Sequence, residues 1–137
     1  MIAMEKRKEE KELETLARNF FCGYQLAMDL LNLRKFERKR GRHPDGEGDC
    51  EDILNGCEAD WRERVQNVGT VLKQMKSGRE KVMLYYHYIR RMSVERISDI
   101  LGVSRRSGYR IHKRALITVG DMILQMHFGS KNDFLLS

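Results

Sequence analysis

Apolar side chains recur at helical spacing over most of the first forty residues. Steps of three and four residues bring one set to the same side of a helix predicted from about Glu5 to Arg40: Leu13, Leu16, Ala17, Phe20, Tyr24, Ala27, Met28 and Leu31. Phe21, Leu26, Leu30 and Leu33 widen this apolar surface. The pattern predicts a long helix covered on two sides, with mixed-charge first turns (EKRKEEKELE) that are frayed or solvated.

A polar segment interrupts the pattern at residues 41–49. Its sequence, GRHPDGEGD, combines three Gly with the only Pro of the chain and predicts a loop. A second helix is predicted from about Cys50 to Lys76, capped by Asp49, with an apolar side formed by Ile53, Leu54, Cys57, Trp61, Val65, Val68, Leu72 and Met75. Two amphipathic helices with such a connection predict an antiparallel hairpin, and Gly56 and Gly69 are places where the second helix could kink.

Ser77-Gly78 separates the hairpin from a C-terminal part that begins with a helix at residues 79–91. The core residues expected from this helix are Met83, Leu84, Tyr86 and Tyr88. Near the end of the chain, apolar spacing persists through Val119, Met122, Ile123 and Met126. Either one helix continues there, or Gly120-Asp121 ends it and begins another. This apolar stretch is expected to pack on the hairpin or on a second subunit.

Between these segments, residues 93–116 predict two short helices joined by a tight turn. Ile97 and Leu101 lie four residues apart on one helical face. Gly102 follows at once, where a left-handed residue can end the helix at little steric cost. Val103 can plug the turn, and the hydroxyl of Ser104 can accept from a backbone N–H two or three residues later. Ile111 and Ala115 continue the apolar face of the second helix.

The excess positive charge of the chain is concentrated around these two helices. Residues 78–118 hold ten Lys and Arg against three Asp and Glu, whereas residues 1–77 hold fifteen of each. Long cationic side chains on an exposed helix suit major-groove edges and phosphates, although a solvated charged face is the plainer interpretation. The residues expected to meet DNA are Ser93, Ser104, Arg105, Arg106, Ser107, Tyr109, Arg110, Lys113 and Arg114.

Residues 79–118 resemble the fourth region of bacterial sigma factors. The resemblance rests on an apolar, Tyr-containing helix (MLYYHYI), a Ser-led helix (SVERISDIL), the turn LGVS and a basic helix (RRSGYRIHKRAL). Small phage and prophage regulators of the ArpU and RinA kind carry a similar domain behind a helical N-terminal part. The resemblance implies a helix-turn-helix domain in which residues from Ser104 to Lys113 contact DNA.

Three residues depart from that family pattern. Gly108 stands where an apolar residue usually packs the recognition helix, Arg91 where a small turn residue is common, and Ser98 where Ala is usual. A glycine inside a helix costs about 1 kcal/mol relative to Ala. We expect Tyr86, Tyr88 or Met92 to fill the space over Gly108.

Other chemistries find less support in the sequence. Zinc could involve His43, Cys50 and Cys57, but a helix would separate the two cysteines by about 10 Å along its axis, too far for tetrahedral bonds. The remaining histidines, His87, His112 and His127, belong to no catalytic motif, and His112 is expected to face DNA or to pack. No cofactor, no metal and no enzymatic activity are predicted.

Two further clusters admit more than one interpretation. Tyr85, Tyr86 and Tyr88 could stack on bases, but their setting in a helix favours core packing with one ring pointing outward. A second basic run consists of Arg34, Lys35, Arg38, Lys39, Arg40 and Arg42. It is interpreted as favourable cations at a helix C-terminus, with phosphate contact as the alternative.

The odd number of cysteines, the charged N-terminus and the lack of a long apolar run predict a cytoplasmic protein without membrane contact. The expected architecture is all-α: residues 1–77 form a helical hairpin for dimerisation or partner binding, residues 78–128 a helix-turn-helix domain, and residues 129–137 a tail. The expected function is that of a phage-type transcriptional regulator binding double-stranded DNA. A sigma-like factor bound to RNA polymerase, or a small terminase-type packaging protein, remains open, as does a homodimer.

Overall fold

The computed structural model describes residues 2–40 and 48–126, and the side chains within 5–40 and 52–126. The helices are α1 (Ile2–Lys39), α2 (Gly48–Gln74), α3 (Arg79–Leu84), α4 (Val94–Leu101) and α5 (Arg105–Met126), with a π-helical turn, π1 (Tyr85–Ile89), directly after α3. These described ranges contain no strand, so the predicted all-α class is confirmed.

Helices α1 and α2 run antiparallel along one another. Arg38 near the end of α1 contacts Glu58 near the start of α2, whereas Gly23 lies opposite Arg64 further along. The apolar stripes meet between the two helices and bury Leu16, Phe20, Phe21, Val68, Val71 and Leu72. The predicted hairpin is therefore present, and Gly56 and Gly69 do not interrupt α2. This helix begins at Gly48, so Asp49 lies inside it and not at its cap.

Helix α5 packs across α1, and the same buried cluster joins both parts of the chain. Leu116, Val119 and Ile123 of α5 belong to one core with residues of α1 and α2. The helix continues through Gly120, the first of the two alternatives. The lack of a side chain at Gly120 lets the backbone of α5 approach the backbone of Leu13. The apolar C-terminal stretch is thus covered by the hairpin of the same chain.

The first helix of the C-terminal part differs from the single helix predicted over residues 79–91. Its backbone widens into π1, where the Arg90 N–H donates to the Tyr85 carbonyl at 3.1 Å, and it ends at Ile89. This turn brings Tyr88 onto Phe21, with ring centroids 4.4 Å apart. Tyr86, predicted in the core, is exposed, and so is Tyr85. One outward ring was expected among the three tyrosines, and the structure has two.

Among the described residues, α2 covers the side of α1 that carries Gly23 and Arg38, and π1 and α5 cover the side that carries Phe21 and Leu13. Phe21 is fully buried, but Leu26 and Leu33 keep 61% and 51% of their surface exposed. The expected cover on two sides is therefore present, but Leu26 and Leu33 lie outside both covered sides.

Candidate nucleic-acid interface

Capping interactions fix both ends of the turn between α4 and α5. The Arg96 N–H donates to the Ser93 hydroxyl at 3.2 Å and begins α4. Gly102 ends it with φ 71°, and the Val103 N–H returns to the Ser98 carbonyl at 3.0 Å. The left-handed glycine predicted from the sequence is confirmed.

The second helix of the pair starts with a similar cap. The Ser107 N–H donates to the Ser104 hydroxyl at 3.1 Å, and that hydroxyl donates in turn to the Ser107 side chain at 3.0 Å. Ser107 is one of the two partners that the sequence allowed. The caps on both sides of residues 102–104 hold this short turn in one conformation, and this conformation sets the direction of α5 relative to α4.

Gly108 allows α4 and α5 to approach closely. A Cβ at this position would overlap the Ser98 hydroxyl and lie 2.9 Å from Ser98 Cβ. Ser98 is fully buried, and its hydroxyl donates to the Val94 carbonyl at 2.7 Å. The prediction that Tyr86, Tyr88 or Met92 fills this space is wrong: Ser98 occupies it, with Val94 beside it. Gly108 and Ser98, two of the three departures from the family pattern, are therefore in contact with each other.

His112 packs beneath α5 and does not face outward. Its Nε2 lies 3.0 Å from the Tyr88 hydroxyl, and its ring contacts that of His87 with centroids 4.9 Å apart. Burial lowers the pKa of His112 to about 4 and raises that of Tyr88 to about 12. Both groups are therefore neutral near pH 7, and of the two roles proposed for His112, the structure supports packing.

Arg91 fastens the segment before α4 to α1. Its φ of 56° lies in the left-handed region, which explains why a small residue is common at such a turn. The guanidinium donates to Asp29 at 2.7 Å and to the Gln25 carbonyl at 3.3 Å. The Gln25 side chain donates to the Tyr88 carbonyl at 3.1 Å, so α1 holds this turn through two side chains.

The exposed side of α5 carries most of the predicted site. Ser93 and Ser104 are exposed at the two helix starts, although their hydroxyl oxygens already accept capping bonds, and Ser107 is half-buried. The long side chains share one exposed surface over the first three turns of α5; they are Arg105, Arg106, Tyr109, Arg110, Lys113 and Arg114. We call this surface the basic face.

Glu95 joins this surface, and the sequence interpretation missed it. The Tyr109 hydroxyl donates to the Glu95 carboxylate across the two helices. This hydrogen bond lowers the pKa of Glu95 and raises the pKa of Tyr109. The two residues are fourteen positions apart, so only the turn geometry reveals their contact. Glu95 holds the half-exposed Tyr109 ring against α4, beside the cations.

The second basic run at the end of α1 makes ion pairs within the hairpin. Glu58 is buried and receives Arg38 at 2.6 Å and Arg62 at 2.7 Å, with Arg34 at 3.6 Å. The hydrogen bond from Arg38 is the main reason that the pKa of Glu58 is lowered. Arg34 and Arg38 therefore link α1 to α2, which neither interpretation of this run foresaw.

A metal site finds no support where the structure describes side chains. No group of three His, Cys, Asp or Glu able to hold a metal occurs among them, and Cys22 and Cys57 are free thiols. The zinc candidates His43 and the Cys50 side chain lie outside the described residues, as do His127 and the predicted tail. Among the described helices, none combines the length and apolarity needed to cross a membrane.

No protein-family model, curated protein or solved structure matches this chain. The resemblance of residues 79–118 to sigma factors and phage regulators therefore stays a prediction, and the functional argument depends on the geometry of α4, α5 and the basic face.

Proposed function

We propose that this protein is a sequence-specific double-stranded DNA-binding regulator of transcription, of the phage or prophage type. The single observation that carries the proposal is the basic face. Five cations and one tyrosine extend from α5, while the opposite side of the same helix is buried against α4 and α1. A helix held in this way can enter a major groove without losing its core contacts.

The residues of the basic face take different roles in this proposal. Arg105, Arg106, Tyr109 and Arg110 lie in the first turns of α5 and reach base edges. Arg side chains suit guanine because their two parallel N–H groups match its O6 and N7 acceptors. Lys113 and Arg114 follow one turn later and contact the phosphate backbone.

The starts of α4 and α5 supply additional phosphate contacts. Ser93 and Ser104 stand at helix N-termini, where backbone N–H groups and the helix dipole favour an anion. The hydroxyl proton of Ser93 is available for donation, because the capping bond uses only its oxygen as an acceptor.

Selection of bound duplexes from a random DNA library at near-physiological salt tests the proposal. Enrichment of one motif is the expected result. Weak, salt-sensitive binding without enrichment would contradict sequence-specific readout, because phosphate attraction alone gives that behaviour. A palindromic motif would indicate a dimeric regulator; an asymmetric motif bound stably only with RNA polymerase would indicate a sigma-like factor, and a large ring by light scattering a packaging protein.

Arg106→Ala distinguishes base readout from simple charge. We expect it to reduce discrimination at one base pair by about 1–3 kcal/mol, because it removes a bidentate partner. Lys113→Ala is the matched comparison, removing one cation from the same helix, and should weaken all duplexes alike. Uniform weakening by both variants would show that Arg106 contacts only phosphate.

A further inference from the structure

The N-terminal turns of α1 lie beside the C-terminal end of the basic face. A cleft of about 260 Å³ separates the two helices, and its lining residues are Arg7, Glu10, Lys11, Glu14 and Lys113. Arg7, Lys11 and Lys113 are exposed, so their charges face solvent at the mouth of the cleft. From the sequence, these turns of α1 were expected only to be a mixed-charge segment, frayed or solvated.

The charges in this cleft do not cancel. Arg18 neutralises Glu14 through an ion pair of 2.9 Å between adjacent turns of α1. Three cations then face a single remaining carboxylate, that of Glu10. Arg7 and Lys11 are four residues apart, so both lie on the same side of α1. Lys113 meets them from the other helix, so positive charge converges from two directions.

The position of the cleft is fixed by the core. Gly120 brings α5 against the backbone of Leu13, and Lys113 lies seven residues before Gly120, about 10 Å along α5. Because α1 is continuous through this crossing, the buried contacts that begin at Leu16 set the direction in which its first turns extend beside α5.

We propose that this cleft binds the phosphate backbone of the DNA duplex next to the segment read by α5, so that the start of α1 is a second DNA-contacting element. The inference depends on the function proposed above. Lys113 connects the two surfaces, because it belongs both to the basic face and to the cleft. Phosphate is the partner that this chemistry fits: convergent cations at an open cleft favour an extended polyanion.

Removal of the two α1 cations tests the inference. R7Q/K11Q is compared with K35Q/K39Q, which removes two exposed cations at the same four-residue spacing, twenty-eight positions along the same helix. That separation is about 42 Å, several Debye lengths at physiological salt. Binding to a duplex of about 30 base pairs, nearly three helical turns, is measured over a range of salt concentrations.

The expected loss follows from counter-ion release. Each phosphate contact contributes about 0.9 to the slope of log affinity against log salt, equivalent to about 5-fold in affinity at 0.15 M salt relative to 1 M. R7Q/K11Q should therefore bind about 30-fold more weakly at 0.15 M, with a slope lower by almost 2. K35Q/K39Q should remain within about 2-fold of the unaltered protein because its charges are screened.

A variant that is expected to bind DNA more tightly provides a test that misfolding cannot imitate, because a misfolded protein would lose affinity. E10Q removes the carboxylate that opposes the three cations and should tighten binding about 2-fold, the factor for one unit charge about 10 Å from a phosphate in water. E12Q, outside the cleft on the same helix, is its control and should leave affinity unchanged. Normal binding by R7Q/K11Q, or equal losses in the two double variants, would overturn the inference while leaving the proposed function intact. Failure of the unaltered protein to bind any duplex would overturn the proposed function itself.

Discussion

Replacing Gly108 with alanine probes the closest approach between α4 and α5. The added methyl would overlap the Ser98 hydroxyl and lie 2.9 Å from Ser98 Cβ, whereas Val94 would remain at an ordinary distance of 3.7 Å. Ser98 cannot swing away freely, because it is fully buried and its hydroxyl donates to the Val94 carbonyl. The helices must therefore separate to admit the methyl.

Two opposing contributions set the magnitude. Alanine gains about 1 kcal/mol over glycine inside a helix, while overpacking a filled site costs about 1–3 kcal/mol. Gly108→Ala should thus lower the free energy of unfolding by about 0–2 kcal/mol. In a Ser98→Gly background the overlap disappears, and the same substitution should instead stabilise by about 1 kcal/mol. The coupling free energy between the two positions is therefore about 1–3 kcal/mol.

Urea unfolding followed by far-ultraviolet circular dichroism measures the four proteins of this cycle. The sign change between backgrounds is diagnostic, because neither helix propensity nor unfolded-state entropy depends on residue 98. Stabilisation by Gly108→Ala in both backgrounds, with no coupling, would refute the argument that Ser98 occupies the space above the glycine.

Two other predictions concern the contacts that hold α5. Gly120→Ala would bring a methyl within 2.9 Å of Leu13 Cα, which is backbone and cannot rotate aside, and should lower the free energy of unfolding by about 1–3 kcal/mol or more. Gly69→Ala, in open space, should instead raise the free energy of unfolding by about 1 kcal/mol. Similar effects of the two substitutions in urea unfolding would contradict this contrast. His112 has a pKa of about 4 in the folded state, below its ordinary value of 6.5. Between these two pH values the unfolded chain binds the proton and the folded protein does not, so the free energy of unfolding should fall by up to about 3 kcal/mol as pH decreases from 6.5 towards 4. Between pH 7 and pH 4, the free energy of unfolding should fall less steeply with pH in His112→Gln than in the unaltered protein. An equal pH dependence in the two proteins would disprove the lowered pKa of His112.

Local patterns in the sequence were sufficient for the helical hairpin and for the turn at Gly102. Both depend on interactions within a few residues: helical periodicity, a left-handed glycine and serine caps. Gly108 and Ser98 were separately unfavourable by comparison with the family pattern, and their compatibility appears only when α4 and α5 are placed together.

The candidate site divides in the same way. The cations of α5 could be identified from their spacing, since the buried face of that helix was evident from Ile111 and Ala115. Glu95 could not be identified, because its partner Tyr109 lies beyond the turn. Arg7 and Lys11 could not either, because nothing in the local sequence indicates that α1 crosses α5 near Leu13.

The buried core that α1, α2 and α5 share fixes the orientation of these three helices relative to one another. If α5 holds DNA, whatever binds the far end of α1 is kept at a distance and direction that the helix itself determines. Each residue of α1 between the crossing at Leu13 and that far end contributes about 1.5 Å to this distance and about 100° of rotation around the helix axis. In a complex of this kind, the length of α1 would determine on which side of the duplex a second partner is presented.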